Sequence, residues 1–214
     1  MISKGGVIGY VIVALSVALL TLSIVLFVHL RYAAQCPDEL LDEVERCIGH
    51  GAREEADELL ASDPSALAPV LDALLKRGQE PVSRLLDTLE GVVAEQATLM
   101  SQRVAYVGLI AAAAPMLGLL GTVSGMIGAF ATMSASAAAP EANELAGAIS
   151  EALVTTYLGL IVAIPAMGVH LLLQHRVVHI SLRIGEAGEQ FIETLGPASP
   201  VAGGRSPRRT ASRN

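Results

Sequence analysis

The sequence predicts an all-α integral membrane protein, with three transmembrane helices and long cytoplasmic helical extensions. Three observations carry this expectation. Of 214 residues, 52% are apolar and only 16% are charged. The apolar excess sits in three long uncharged runs, each exceeding the roughly 20 residues needed to cross about 30 Å of hydrocarbon. Within the second run, AAAAPMLGLLGTVSGMIGAF (residues 111–130), glycines recur at helical intervals.

Residues 1–30 hold the first span, whose apolar run covers 7–30. Lys4 precedes it, and Ala33, Ala34, Gln35 and Cys36 follow it in the manner of a lipoprotein cleavage box. The run is much longer than the roughly 7 to 15 residues of a signal core, and Arg31 separates it from that box, so a retained anchor is the better reading.

Residues 31–103 form a cytoplasmic helical insertion. Glu39, Asp42, Glu43, Glu54, Glu55, Asp57 and Glu58 make its first half acidic, as a solvated surface would be. Leu40, Leu41, Val44 and Ile48, then Leu59 and Leu60, then Leu67, Val70, Leu71, Leu74 and Leu75 keep helical spacing. Gly49, Gly51, Asp63, Pro64 and Gly78 interrupt it, which predicts short helices joined by tight turns. From Pro81 the pattern Val82, Leu85, Leu86, Leu89, Val92, Val93 continues through Arg103 into the second span, predicting one long helix.

The second span is 104–133, a periplasmic loop 134–150 follows, and the third span is 151–174. Residues 175–196 repeat the helical extension, with Val177, Ile180, Ile184, Phe191 and Ile192 among Arg183, Glu186 and Glu189. Residues 197–214, rich in Pro, Gly, Ser and Arg, are too polar to bury a core and read as a disordered basic tail that solubilises the chain or lies on anionic lipid. Arg31, Arg103, Arg176 and Arg183 flank the spans on one side, whereas 134–150 has no Lys or Arg. The positive-inside rule then places the N-terminus in the periplasm and the C-terminus in the cytoplasm of a bacterial inner membrane, with Lys4 as a minor dissent.

Gly118, Gly121, Gly125 and Gly128 lie three, four and three residues apart, so they share one helical stripe on which another helix can approach closely. Thr122 lies beside it. In the third span Glu151, Thr155, Gly159 and Ala163 recur every four residues, with Thr156 adjacent. A single membrane threonine usually bonds its own helix one turn back. Two spans that each set threonine beside a small-residue stripe favour a polar seam facing the bundle interior, with Thr122, Thr155, Thr156 and Glu151 as the candidate proton-pathway residues. Glu151 stands at the boundary, where an ion-path carboxylate and a solvated helix-start carboxylate are both open readings.

Cys36 and Cys47 fall in a reducing compartment and match no metal spacing; His175 and His179, one turn apart, lack an obvious third ligand. No phosphate loop, nucleophile motif or HExxH site occurs, so no enzymatic activity, cofactor, metal or nucleic-acid partner is expected.

LGLLGTVSGMIGAF followed by ISEALVTTYLGLIVAIPA resembles the MotA/TolQ/ExbB proton channel family. Pro115, Gly118, Gly121, Thr122, Val123 and Gly125 carry the likeness in one helix; Glu151, Ala152, Leu153, Thr156, Gly159, Ile164 and Pro165 carry it in the other. Three spans with a large insertion after the first resemble its TolQ/ExbB branch. Ser124 departs from the pattern, since relatives often carry a bulky aromatic there.

The resemblance implies a pentameric homo-oligomeric ring around two helices of an ExbD/TolR-like partner with a membrane aspartate. Such a ring would use the proton motive force to drive a TonB/TolA-like effector. It further implies that Thr122 and Thr156 line the ring interior and that Glu151 lies near the outer end of the path. Independently, 104–140 and 152–169 contain no Asp, Glu, Lys, Arg or His, so a proton carrier at depth must come from another chain. A non-conducting oligomeric scaffold is the competing expectation, and a solute transporter, which would need broken helices and inverted repeats, is a weaker one.

Overall fold

The computed structural model describes residues 6–135 and 142–196. Lys4, residues 136–141 of the connection after the second span, Glu141 among them, and the basic tail lie outside them. Every regular element among the described residues is a helix: α1 (Gly6–His29), α2 (Tyr32–Gln35), α3 (Asp38–Gly49), α4 (Arg53–Ser62), α5 (Ala68–Lys76), α6 (Val82–Ala135) and α7 (Ala142–Leu195). Three stretches are long and apolar enough to cross a membrane, Val7–His29, Val82–Ala131 and Ile149–Leu195.

The second long helix runs unbroken from Val82, and the third from Ala142. The latter corrects one boundary. Residues 142–150, expected as loop, are helical; this stretch contains three alanines and neither proline nor a glycine pair, so nothing local resists helix propagation. Pro115 and Pro165 lie inside α6 and α7. Each removes the N–H that would bond the carbonyl four residues earlier.

The chain divides into two compact units. The first comprises residues 1–35 and 95–181. Its helices bury narrow stripes and expose the rest. On α1, Ile12, Leu19, Ser23, Leu26 and Leu30 are buried, while Val7 is 81% exposed and Leu20 63%. On α6, Met100, Val104, Val107, Ala111, Ala114, Gly118 and Gly121 are buried, spaced alternately four and three apart, with Ile110 buried beside them. On α7, Ala152, Thr155, Gly159, Val162 and Ala166 continue the same alternation, and Leu173, Val177 and Ile180 rejoin it. A repeat averaging 3.5 residues keeps one seam between two helices in register. The exposed apolar sides have no counterpart in a water-soluble fold and require lipid or another chain.

The second unit comprises residues 36–94 and 182–214. Leu40, Leu41 and Val44 of α3, Ala56 and Leu60 of α4, and Val70, Leu71, Leu74 and Leu75 of α5 are buried. They form a core with Leu85 and Leu89 of α6 and Ile184, Phe191 and Ile192 of α7. Gly188 admits the Leu89 side chain, which a Cβ there would strike. Gly51 turns the chain between α3 and α4 with φ +74°, where a side chain would be strained. Between α4 and α5, Asp63 Oδ1 accepts the Ser65 N–H at 2.7 Å, and Ser65 Oγ accepts the Ala68 N–H. Arg53 Nη2 donates to the Leu75 carbonyl, satisfying an acceptor at the C-terminus of α5. Thr194 Oγ1 donates to Glu45 Oε1 at 2.9 Å, tying the end of α7 to α3.

Candidate functional site

The seam of α6 and α7 is closest where its residues are smallest. A Cβ on Gly118 would lie 2.9 Å from the Thr156 Cα, and one on Gly159 would lie 2.6 Å from the Ala114 carbonyl oxygen. At Gly121 it would strike the Thr155 side chain, 2.6 Å from its Cβ. Backbone therefore meets backbone here, and no larger residue fits without parting the helices.

Two hydroxyls are drawn into this contact. Thr156 Oγ1 donates to the Gly118 carbonyl at 2.9 Å. Thr155 Oγ1 donates to Ala152 O at 2.7 Å in its own helix, with Gly118 O at 3.4 Å, and its side chain is 3% exposed. The Gly118 carbonyl can receive the cross-helix bond because it already lacks a covering side chain. Thr156 is half-buried at the seam edge, whereas Thr155 is enclosed.

The other expected residues are placed differently. Thr122, half-buried, donates to Leu119 O at 2.7 Å, one turn back in its own helix. Glu151 is exposed, one turn before Thr155. Ala163 is buried at 2% exposure. Gly125 is half-buried, and Gly128 is exposed with nothing within 4 Å of the position its Cβ would take. The glycine stripe thus packs within the subunit at Gly118 and Gly121 and opens outward at Gly128. Ser124, the departure from the expected pattern, is also exposed.

Two further features of this unit escaped the sequence reading. His170 on α7 brings Nδ1 to 3.2 Å from the Val104 carbonyl, and its ring occupies the notch at Gly108, where a Cβ would lie 2.9 Å from Cε1. His170 is the first acidic, basic or histidine side chain on α7 after the uncharged stretch that begins at Ala152. Extending the four-and-three spacing backwards from Gly118 reaches Val107 and Val104, which would have signalled this contact.

The second feature is at the end of α1. Arg176 Nη1 donates to the Phe27 carbonyl at 3.2 Å, with the guanidinium 4.6 Å over the Phe27 ring. Arg103 Nη1 contacts His29 Nε2, and Gln35 Nε2 donates to His29 O at 2.9 Å. Arg176 and Gln35 thus cover carbonyls that a helix C-terminus leaves without partners, and both cations face the negative end of its dipole. Among the described residues no group of three His, Cys, Asp or Glu could hold a metal ion, and Cys36 and Cys47 are not joined in a disulfide.

Residues 62–186, more than half of the chain and including the whole α6–α7 seam, match the model of the MotA/TolQ/ExbB proton channel family. The chain belongs to that family. No curated protein compared with it matches. As a MotA/TolQ/ExbB family member with three apolar helices, it is a multi-pass membrane protein and a proton-channel subunit of the motor-stator kind. The match begins at Ser62, after α1, α2 and α3 and at the last residue of α4.

Proposed function

We propose that this chain is a TolQ/ExbB-like ring subunit of a bacterial inner-membrane motor that couples proton flow to work on a periplasm-spanning effector. Five copies enclose two helices of an ExbD/TolR-like partner, whose membrane aspartate carries the proton; a TonB/TolA-like protein receives the force. The N-terminus lies in the periplasm, α3 to α5 and the extensions of α6 and α7 lie in the cytoplasm, and the protein has no enzymatic activity of its own.

One observation carries this reading. The seam offers hydroxyls, Thr156 at its edge and Thr122 one turn beyond Gly118, in helices with no Asp, Glu, Lys, Arg or His at that depth. Each hydroxyl gives its hydrogen to a backbone carbonyl, so it accepts from a carboxylic acid as it stands and donates to a carboxylate by turning away from that carbonyl, storing the proton in neither state. In this reading Thr122 and Thr156 attend the partner's aspartate, Thr155 fixes the helix pair, and Glu151 stands near the outer entrance. Each 100 mV supplies about 2.3 kcal/mol per charge moved, enough for stepwise rotation when several protons pass.

The scaffold alternative needs glycine stripes free to join subunits. Gly118, Gly121 and Gly159 are already filled by contacts within one chain, so a scaffold would have to assemble through Gly128 and the exposed apolar residues instead. Replacing Thr122 and Thr156 by Val, each nearly isosteric, tests the proposal. Proton-gradient-dependent output should fall at least tenfold while the oligomer remains intact. Undiminished output from an intact assembly carrying both changes would overturn the assignment.

A further inference from the structure

Arg103 and Arg176 converge on the last turn of α1 from two different helices, one reaching Phe27 and the other His29, two residues apart. Both are exposed, and neither forms an ion pair with a carboxylate among the described residues, where the ion pairs are Lys76–Asp72 and Arg183–Glu186. A guanidinium has five N–H donors, and each of these directs one nitrogen at α1, leaving the rest of its fork unused. Arg31, also exposed, follows two residues after His29. Both cations thus reach the last turn of α1 with donors to spare, an arrangement that suits an external anion.

The surroundings identify that anion's chemistry. On the adjoining turns toward the spans, Val28 is 61% exposed, Tyr106 62% and Leu172 56%. The forks therefore stand at the rim of an apolar surface, at the end of α1 and where the uncharged stretches of α6 and α7 give way to charged residues. A free phosphate would match the forks and ignore the apolar side chains; a phospholipid matches both. We propose that Arg103 and Arg176 bind the headgroup phosphate of an anionic phospholipid, whose acyl chains lie along the exposed residues of α1, α6 and α7. The phosphate accepts from both forks, and the lipid bridges the end of α1 to the helix pair.

The test uses the full-length protein in nanodiscs of mixed phosphatidylglycerol and phosphatidylcholine, with retained lipid read by native mass spectrometry. Phosphatidylglycerol should be enriched over its share of the disc, and the enrichment should fall as salt rises. R103Q and R176Q should each reduce it about fivefold, and together about thirtyfold, in line with one cation's contribution near an anionic surface. R84Q, an exposed arginine elsewhere on α6, should leave it unchanged. Equal retention of the two lipids by the unmodified chain would overturn the proposal even if the double variant failed to fold. Displacement of phosphatidylglycerol by equimolar inorganic phosphate would overturn it too, assigning the site to a free anion.

Discussion

Gly118 and Gly128 show why identical residues on one stripe have different consequences. At Gly118 an added Cβ meets the Thr156 backbone, which has no rotamer with which to yield; at Gly128 it meets open space. Gly118→Val should destabilise the protein in detergent by about 1–3 kcal/mol or more, the range for overpacking. Gly128→Ala should leave the melting temperature of the isolated subunit nearly unchanged, and thermal unfolding of both variants checks the contrast. The threonines differ in the same manner. Thr156→Val removes the cross-helix bond to Gly118 and should cost about 0.6 kcal/mol, with ~1.7 as a ceiling for such bonds in membranes. At the surface, Lys76 donates to Asp72 at 2.7 Å, and that bond, reinforced by the carboxylate's charge, holds the Lys76 ammonium above its ordinary pKa. The small stabilisation is complete at neutral pH and is lost as pH rises through the folded pKa. The stability difference between wild type and Lys76→Met, read from denaturant titrations, should therefore shrink as pH rises past the ordinary lysine range.

The helices themselves were legible in the sequence to differing degrees. Breakers at Gly49, Gly51, Asp63, Pro64 and Gly78 fall at or between the ends of α3, α4 and α5, and the uninterrupted pattern after Pro81 became a single helix. Such features are local, so a one-dimensional reading captures them. The start of α7 was missed because absence of basic residues in 134–150 reports on sidedness rather than on helix breaking. The pairing of His170 with Gly108 and Val104 was missed because it depends on which face of α7 meets α6, a tertiary fact. It gives a prediction at this scale. Gly108→Leu should expel the imidazole from its notch and loosen α6 against α7, raising the rate at which single cysteines placed at residues 104 and 173 become labelled. His170→Gln, which retains a donor of similar reach, should do so much less.

For the whole molecule, the division into two units means that the same two long helices serve two different solvents. In one unit they bury small residues and expose Leu119 at 62% and Ile164 at 69%; in the other they contribute Leu89 and Phe191 to a conventional aliphatic core. Phe191 is completely buried, so Phe191→Ala should cost about 3–5 kcal/mol. Its effect should appear as early protease sensitivity of α3 to α5, while the apolar spans keep their helical circular dichroism. The family was legible from two short motifs because close helix contact restricts residue choice severely. The order of contacts around α1 was not, since arginines near span ends announce only which side of the bilayer they prefer.

The thinning of the seam from leucine and valine at one end to glycine at the other has a mechanical corollary. Where side chains intervene, near Val104 and Leu173, a small shear between α6 and α7 can be absorbed by rotamer changes. At Gly118 and Gly159 no such cushion exists, and sliding would push Cα atoms into carbonyl oxygens. The pair therefore behaves as a wedge whose thin edge is its fulcrum: any rocking of one helix on the other pivots beside Thr156 and is amplified toward His170.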